Sequence, residues 1–335
     1  MSLEEIYIGE SKELDQYRKF SFCMIVVAEF FTITALYGDA WWHAAVGRES
    51  LWIPPHIAMF AGLASVFVAF LIRLVVDYKT GKSLPIGYRY LITGIILIAL
   101  SIPIDDLWHR TFGIEFGYSV LVLWSPPHLF GVGSGILAAL GVLHTLVRES
   151  NPSKNRLFAV FTTIQFALVT SLVMLIVLPF EPTSVLRVLS IYGAPFVIFP
   201  FMLFRLWAFD IVRRVGVFTL MAAVNWIHLG ILLSFRWGFL IFLPFAVGVL
   251  PGVLVDMIVY LRRNLDYKKG TMIILSAFYA FSFSIIFYPT ANAYRNLGYS
   301  ISEIGVIVLL ATIAAALAGN FGPIFSDIFA KGRQR

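Results

Sequence analysis

A single cysteine, Cys23, stands in 335 residues, and only 13% of the chain is charged. One thiol excludes an intrachain disulfide framework, a zinc ribbon and any cluster held by several thiolates. So little charge, set against 59% hydrophobic residues and a mean hydropathy of +0.86, leaves too little polar surface to cover a soluble domain. Strand-type alternation and low-complexity tracts are also missing. No cleavable signal peptide is expected, because Glu4, Glu5, Glu10, Glu13 and Asp15 make residues 1–19 acidic and the first apolar run is already of spanning length.

What remains is a succession of apolar runs, each long enough to supply the ~20 helical residues that a ~30 Å hydrocarbon core demands. Lipid offers a bare backbone no hydrogen-bond partners, so such runs fold as helices. The expectation is an all-α, polytopic integral membrane bundle of about ten transmembrane helices. Its spans are placed near 20–43, 53–76, 88–109, 119–146, 157–179, 189–212, 215–235, 238–261, 270–289 and 302–324. The corresponding organisation is a cytoplasmic N-terminal segment at 1–19, a four-helix unit at 20–147, and a six-helix unit with a short basic C-terminus at 148–335.

Charge sets the expected orientation. With the N-terminus cytoplasmic, all but Arg48, Arg110, Arg187, Arg236 and Arg295 of the 25 Lys and Arg fall on inner segments, Arg73, Arg205, Lys268 and Lys269 among them. Under the positive-inside rule this puts both termini in the cytoplasm of a multi-pass cell-membrane protein. The net charge of +6 then reads as a topology signal that also suits anionic headgroups, and no nucleic-acid partner is expected.

The chemistry is concentrated in a pattern that occurs twice. Asp39-Ala-Trp-Trp-His43 is followed by Trp52-Ile-Pro-Pro-His56, and Asp105-Asp106-Leu-Trp-His109 by Trp124-Ser-Pro-Pro-His128, which uses four of the six histidines. Asp and His at i and i+4 share a helix face. Pro-Pro is tolerated in a first helical turn, where the missing N–H had no partner, so the last His of each copy opens the returning helix. A parallel duplication of a helical hairpin follows, with Trp41, Trp42, Trp52, Trp108 and Trp124 at the outer interface as an aromatic belt.

Each hairpin thereby offers Asp, His and His to one ion: Asp39, His43 and His56 in the first, Asp105, His109 and His128 in the second. Imidazole suits copper, zinc or iron, and three ligands leave a coordination position open. Asp106 and Arg110 are candidate supporting groups for the ligands, and His228, within Asn225-Trp226-Ile227-His228, is a further one. The plain alternative is that the Asp–His pairs only hydrogen-bond, Pro-Pro punctuates helix starts and Trp anchors the interface. Ionisable residues inside a membrane default to a functional reading, and the repetition favours metal. Glu29, deep in the first span, reads as a hydrogen-bonded core acid or a proton-path member. Asp210 and Asp256 read as solvated partners of Arg213, Arg214 and Arg262, and His144 as a residue remote from the triads.

Over about residues 30–130 the chain resembles the C subunit of the copper membrane monooxygenases, the group of particulate methane and ammonia monooxygenases. The likeness lies in the DxxxH of Asp39 and His43, the text from His43-Ala-Ala-Val-Gly-Arg48-Glu49 to Pro54-Pro-His56, and a second triad downstream, where that family has Asn and this chain Asp105. The segment from Asp106 to Glu115 with Ser125-Pro-Pro-His128 also resembles a family of uncharacterised prokaryotic polytopic membrane proteins. The first resemblance implies copper at the triads and a monooxygenase component acting on a small apolar substrate, within a homo- or hetero-oligomer of membrane subunits. Other classes consistent with the residues are a metal carrier or chaperone and a non-catalytic subunit of a respiratory assembly.

Overall fold

The computed structural model describes residues 3–46, 51–81, 83–113, 125–150, 152–177, 184–237, 242–262, 269–295 and 298–330. Among them every regular element is a helix: α1 (Leu3–Ala45), α2 (Pro54–Lys79), α3 (Ile86–Phe112), α4 (Pro126–Glu149), α5 (Arg156–Val177), α6 (Ser184–Val212), α7 (Val217–Trp237), α8 (Phe242–Leu261), α9 (Lys269–Arg295) and α10 (Ile301–Ala330). Eight are long and apolar enough to cross a membrane, while α7 and α8 present shorter apolar stretches, Val217–Leu232 and Gly248–Leu261. Residues 3–19, expected as a separate segment, are helical and continuous with the first apolar run. Trp124, Arg48, Glu49 and Lys268 lie outside the described residues.

The helices pair as the duplication requires. α1 packs along α2 and α3 along α4, whereas the two hairpins meet each other at few places. Close approach within each hairpin depends on missing side chains, as between membrane helices generally. A β-carbon on Gly62 of α2 would collide with Thr32 of α1, and one on Gly141 of α4 with the Gly87 backbone of α3. The first hairpin is not a free-standing unit, because α1 also packs on α5 and α7 and sends Ile33 and Tyr37 into the large core formed with α5, α6, α7, α9 and α10.

At the ends of α1–α4 remote from the triads, an ionic knot centred on the buried Arg73 and Asp77 ties the hairpins together. Asp77 accepts from Arg73 Nε at 2.8 Å and from Arg18 Nε at 3.0 Å, and Arg73 also pairs with Glu149. The Arg73 guanidinium lies over the Phe22 ring at 4.8 Å and the Tyr88 ring at 5.5 Å.

Three expectations are corrected here. Arg205 is not an inner-segment cation: it sits within α6, fully buried, donates to Asn225 Oδ1 at 3.2 Å and stacks over Phe201 at 3.6 Å. Burial among aromatic faces and an amide removes it from the count of loop charges. Arg73, counted with it, is buried in the knot. Asp256 does not serve as a solvated partner of Arg262. Its Oδ2 accepts from Thr219 N at 2.7 Å and Thr219 Oγ1 at 2.6 Å, in the first turn of α7, where a carboxylate satisfies helix N–H groups that have no partner in the helix. Asp210 does pair with Arg213, at 3.4 Å.

Candidate metal centre

Both copies of the motif build the same local structure. Asp39 and His43 lie in the last turns of α1 and Asp105 and His109 in those of α3, one helical turn apart on one face in each case. Pro54-Pro55 and Pro126-Pro127 occupy the first positions of α2 and α4, so His56 and His128 come third in their helices and face the preceding helix end. Three residues from two helices thereby converge without a long loop.

In the first triad Asp39 Oδ1 is 3.1 Å from His56 Nε2, and Asp39 Oδ2 is 3.8 Å from His43 Nε2. In the second, Asp105 Oδ1 is 3.2 Å from His109 Nε2 and 3.3 Å from His128 Nε2. Within each triad one ligand atom from every residue lies within 4.8 Å of the others. All of the first triad is buried, as is His109; Asp105 and His128 are half-buried.

The two triads are neighbours. The His43 ring centroid is 6.1 Å from that of His109 and 6.0 Å from that of His128. Five of the six residues line one cavity of about 180 Å³ between the hairpins, which reaches Glu29 at its far end.

The second ring nitrogens decide what the first ones are. His56 Nδ1 is 2.9 Å from the Leu51 carbonyl oxygen, and His109 Nδ1 is 3.2 Å from that of Gly113. A carbonyl only accepts, so each Nδ1 carries hydrogen, and in a neutral imidazole Nε2 then presents its lone pair. In both triads that lone pair faces a carboxylate oxygen. Two acceptors turned toward each other need a cation between them, either a proton or a metal ion.

Spacing bears on the choice. Ligand atoms ~2.1 Å from a tetrahedral ion stand ~3.4 Å apart, whereas a charge-assisted N–H···O hydrogen bond is ~2.7–2.9 Å long. The four Asp–His separations run from 3.1 to 3.8 Å, longer than a charge-assisted bond, with the shortest two still inside the ~2.7–3.2 Å range of ordinary hydrogen bonds, and they bracket the coordination value. The donor set therefore fits a first-row metal ion at each triad, with Leu51 and Gly113 holding ring orientation from behind.

Gly113 is the part of the site that the motif alone does not name. Its φ of +86° ends α3, its N–H returns to the His109 carbonyl oxygen, and its own carbonyl meets the His109 ring. A glycine four residues after His109, at the end of an apolar helix, is the sequence signal for such a turn.

The remaining candidates are placed as follows. Asp106 and Arg110 pair with each other at 2.7 Å, with the Arg110 side chain largely exposed. His228 belongs to neither triad: its Nε2 is 3.1 Å from Thr34 Oγ1, its Nδ1 2.8 Å from Ser171 Oγ, and its ring stacks on Tyr37. Asn225, read as part of the same fragment, donates to the Ala167 carbonyl oxygen and to Ser171 Oγ. Glu29 is buried and accepts from Gln165, which also donates to the Ala139 carbonyl oxygen. His144 lies near the far end of α4, ~24 Å along the helix from His128.

No family model, curated protein or solved structure matches the chain.

Proposed function

We propose that this protein is a metal-binding integral membrane protein whose two Asp/His/His triads hold copper, and that it serves as an oxidoreductase or monooxygenase component acting on a small apolar substrate taken from the bilayer. The observation that carries the reading is the matched tautomer geometry, in which His56 and His109 are each locked by a backbone carbonyl so that Nε2 turns a lone pair toward a carboxylate. When bound, copper would supply redox chemistry toward dioxygen, with one oxygen atom entering the substrate and the other leaving as water at the expense of two electrons and two protons from an external electron donor. The chain's own groups would hold the ion, leave a coordination position open, and exclude bulk water by burial.

The expected orientation completes the proposal: both termini cytoplasmic, the triads toward the extracytoplasmic side, and other membrane subunits as partners. A metal carrier would need polar groups to receive an ion along a path inward, and the apolar lining between the triads and Glu29 does not provide them. The test combines elemental analysis and electron paramagnetic resonance of the purified protein with oxygen uptake in the presence of short alkanes. Copper bound at the triads and metal-dependent oxygenation support the reading. Stoichiometric copper with no oxygenation under any electron donor would reduce it to metal binding, and no metal at all would overturn it.

A further inference from the structure

The cavity beneath the triads has a shape of its own. Its lining runs from His43 to Glu29 along α1 and from Asp105 to Leu91 along α3, each stretch ~21 Å at 1.5 Å per residue. At ~30 Å³ for each water-sized group, a volume of about 180 Å³ has room for roughly six, so over that length they stand nearly in single file. Between the triads and the Glu29 level the walls are apolar, with Ile33, Leu36, Leu63, Ile95, Ile98 and Val132 among them. Two hydroxyls interrupt this lining, and both are spent on their own helices: Thr32 on the Ala28 carbonyl oxygen and Ser101 on that of Ile98.

The slot exists because α4 withholds side chains from it. Gly131 and Gly135 follow His128 on the same helical face and line the cavity. A β-carbon at Gly135 would make only ordinary contact, 3.7 Å from Leu172, so close backbone packing does not require glycine there. Leu63 of α2 and Ile95 and Ile98 of α3 are half-buried where α2 and α3 meet at few places.

We propose that this slot binds one unbranched aliphatic chain lengthwise, with one end at the triad layer. The proposal rests on the metal-site reading only for the chemistry at that end, and it names the substrate class as linear and chain-like. Lipid tails are as apolar as the walls, so selectivity arises from shape and not from escape from water. A hydrocarbon leaflet is ~15 Å deep, half of the ~30 Å core, so a chain of that reach enters without leaving the membrane.

The test uses the full-length protein in lipid nanodiscs and a long-chain alcohol of about a dozen carbons bearing a mid-chain diazirine and a terminal alkyne. Photolabelling should fall on slot residues such as Leu63, Ile95 and Ile98, and an unlabelled linear alcohol should compete where a bulky polycyclic alcohol does not. Gly135→Leu, which fills the slot, should cut labelling by about tenfold or more, as overpacking does, whereas Gly133→Leu should not, since a β-carbon at Gly133 meets nothing within 4 Å. Equal labelling of Gly135→Leu and wild type, or equal competition by the polycyclic alcohol, would overturn the proposal. Metal is measured on the same samples. Bound metal without slot labelling refutes the chain site alone, and slot labelling without metal refutes the metal reading while the chain site stands.

Discussion

Asp105→Asn separates a metal centre from a pair of buried ion pairs, because the two accounts predict opposite effects on metal-free protein. Asp105 Oδ1 faces His109 Nε2 at 3.2 Å and His128 Nε2 at 3.3 Å, and His109 Nδ1 is committed to Gly113. If a metal ion normally sits among these groups, the amide removes an anionic ligand, and affinity at this triad should fall by more than the ~10–100-fold typical of losing a mere supporting partner. After chelation, the same amide offers an N–H to the His109 lone pair, a hydrogen bond worth ~0.5–1.5 kcal/mol, so the chelated variant should be no less stable than chelated wild type. If imidazolium–carboxylate pairs hold the site instead, the amide strands a buried cation at a cost of ~3–5 kcal/mol. The assay is thermal unfolding of both proteins with and without chelator, read beside metal content. Metal at 100 times its Kd stabilises by ~2.7 kcal/mol, so wild type should lose that increment on chelation, and the variant should lose only the share owed to the intact first triad. A chelated variant melting well below chelated wild type, with no chelator effect on wild type, would refute the reasoning.

Three further outcomes are expected. Arg73→Ala should destabilise the bundle by ~1.5–3 kcal/mol, because Asp77 keeps only Arg18 and Glu149 loses the cation that joins the hairpins, and thermal inactivation should show it with metal stoichiometry per folded molecule unchanged. Gly113→Ala should cost ~1–3 kcal/mol for a backbone conformation that glycine alone adopts readily and weaken metal binding ~10–100-fold at the second triad by releasing the His109 ring, measured by competitive chelator titration. Cysteines introduced at positions 268 and 295 should label with an impermeant reagent only from inside and only from outside intact cells, respectively; outside labelling at 268 would overturn the orientation.

The helical fold was legible because membrane-length apolar runs and Pro-Pro helix starts are local signals. Observed helices such as Pro54–Lys79, Arg156–Val177 and Ile301–Ala330 begin within a residue of the expected spans. The grouping of each triad was legible too, since i,i+4 spacing and a third-position histidine fix which faces meet. Arg205 was not, because a cation near a helix end reads as a loop residue, and its partners Asn225 and Phe201 come together only through packing. Asp256 was assigned to the cations nearest in sequence, yet it satisfies the start of α7, a contact set by how α8 lies along α7. The slot could not be read at all from periodicity, although glycines three and seven residues after His128 mark where one helix face withdraws.

The central claim is that two neighbouring triads bind metal, and metal content tests it most directly. Purified wild type should carry one to two equivalents of a first-row metal, copper by the present reading, and His43→Ala combined with His109→Ala should lose most of it, while removal of His144 changes nothing. Full metal retention in the folded double variant would contradict the account.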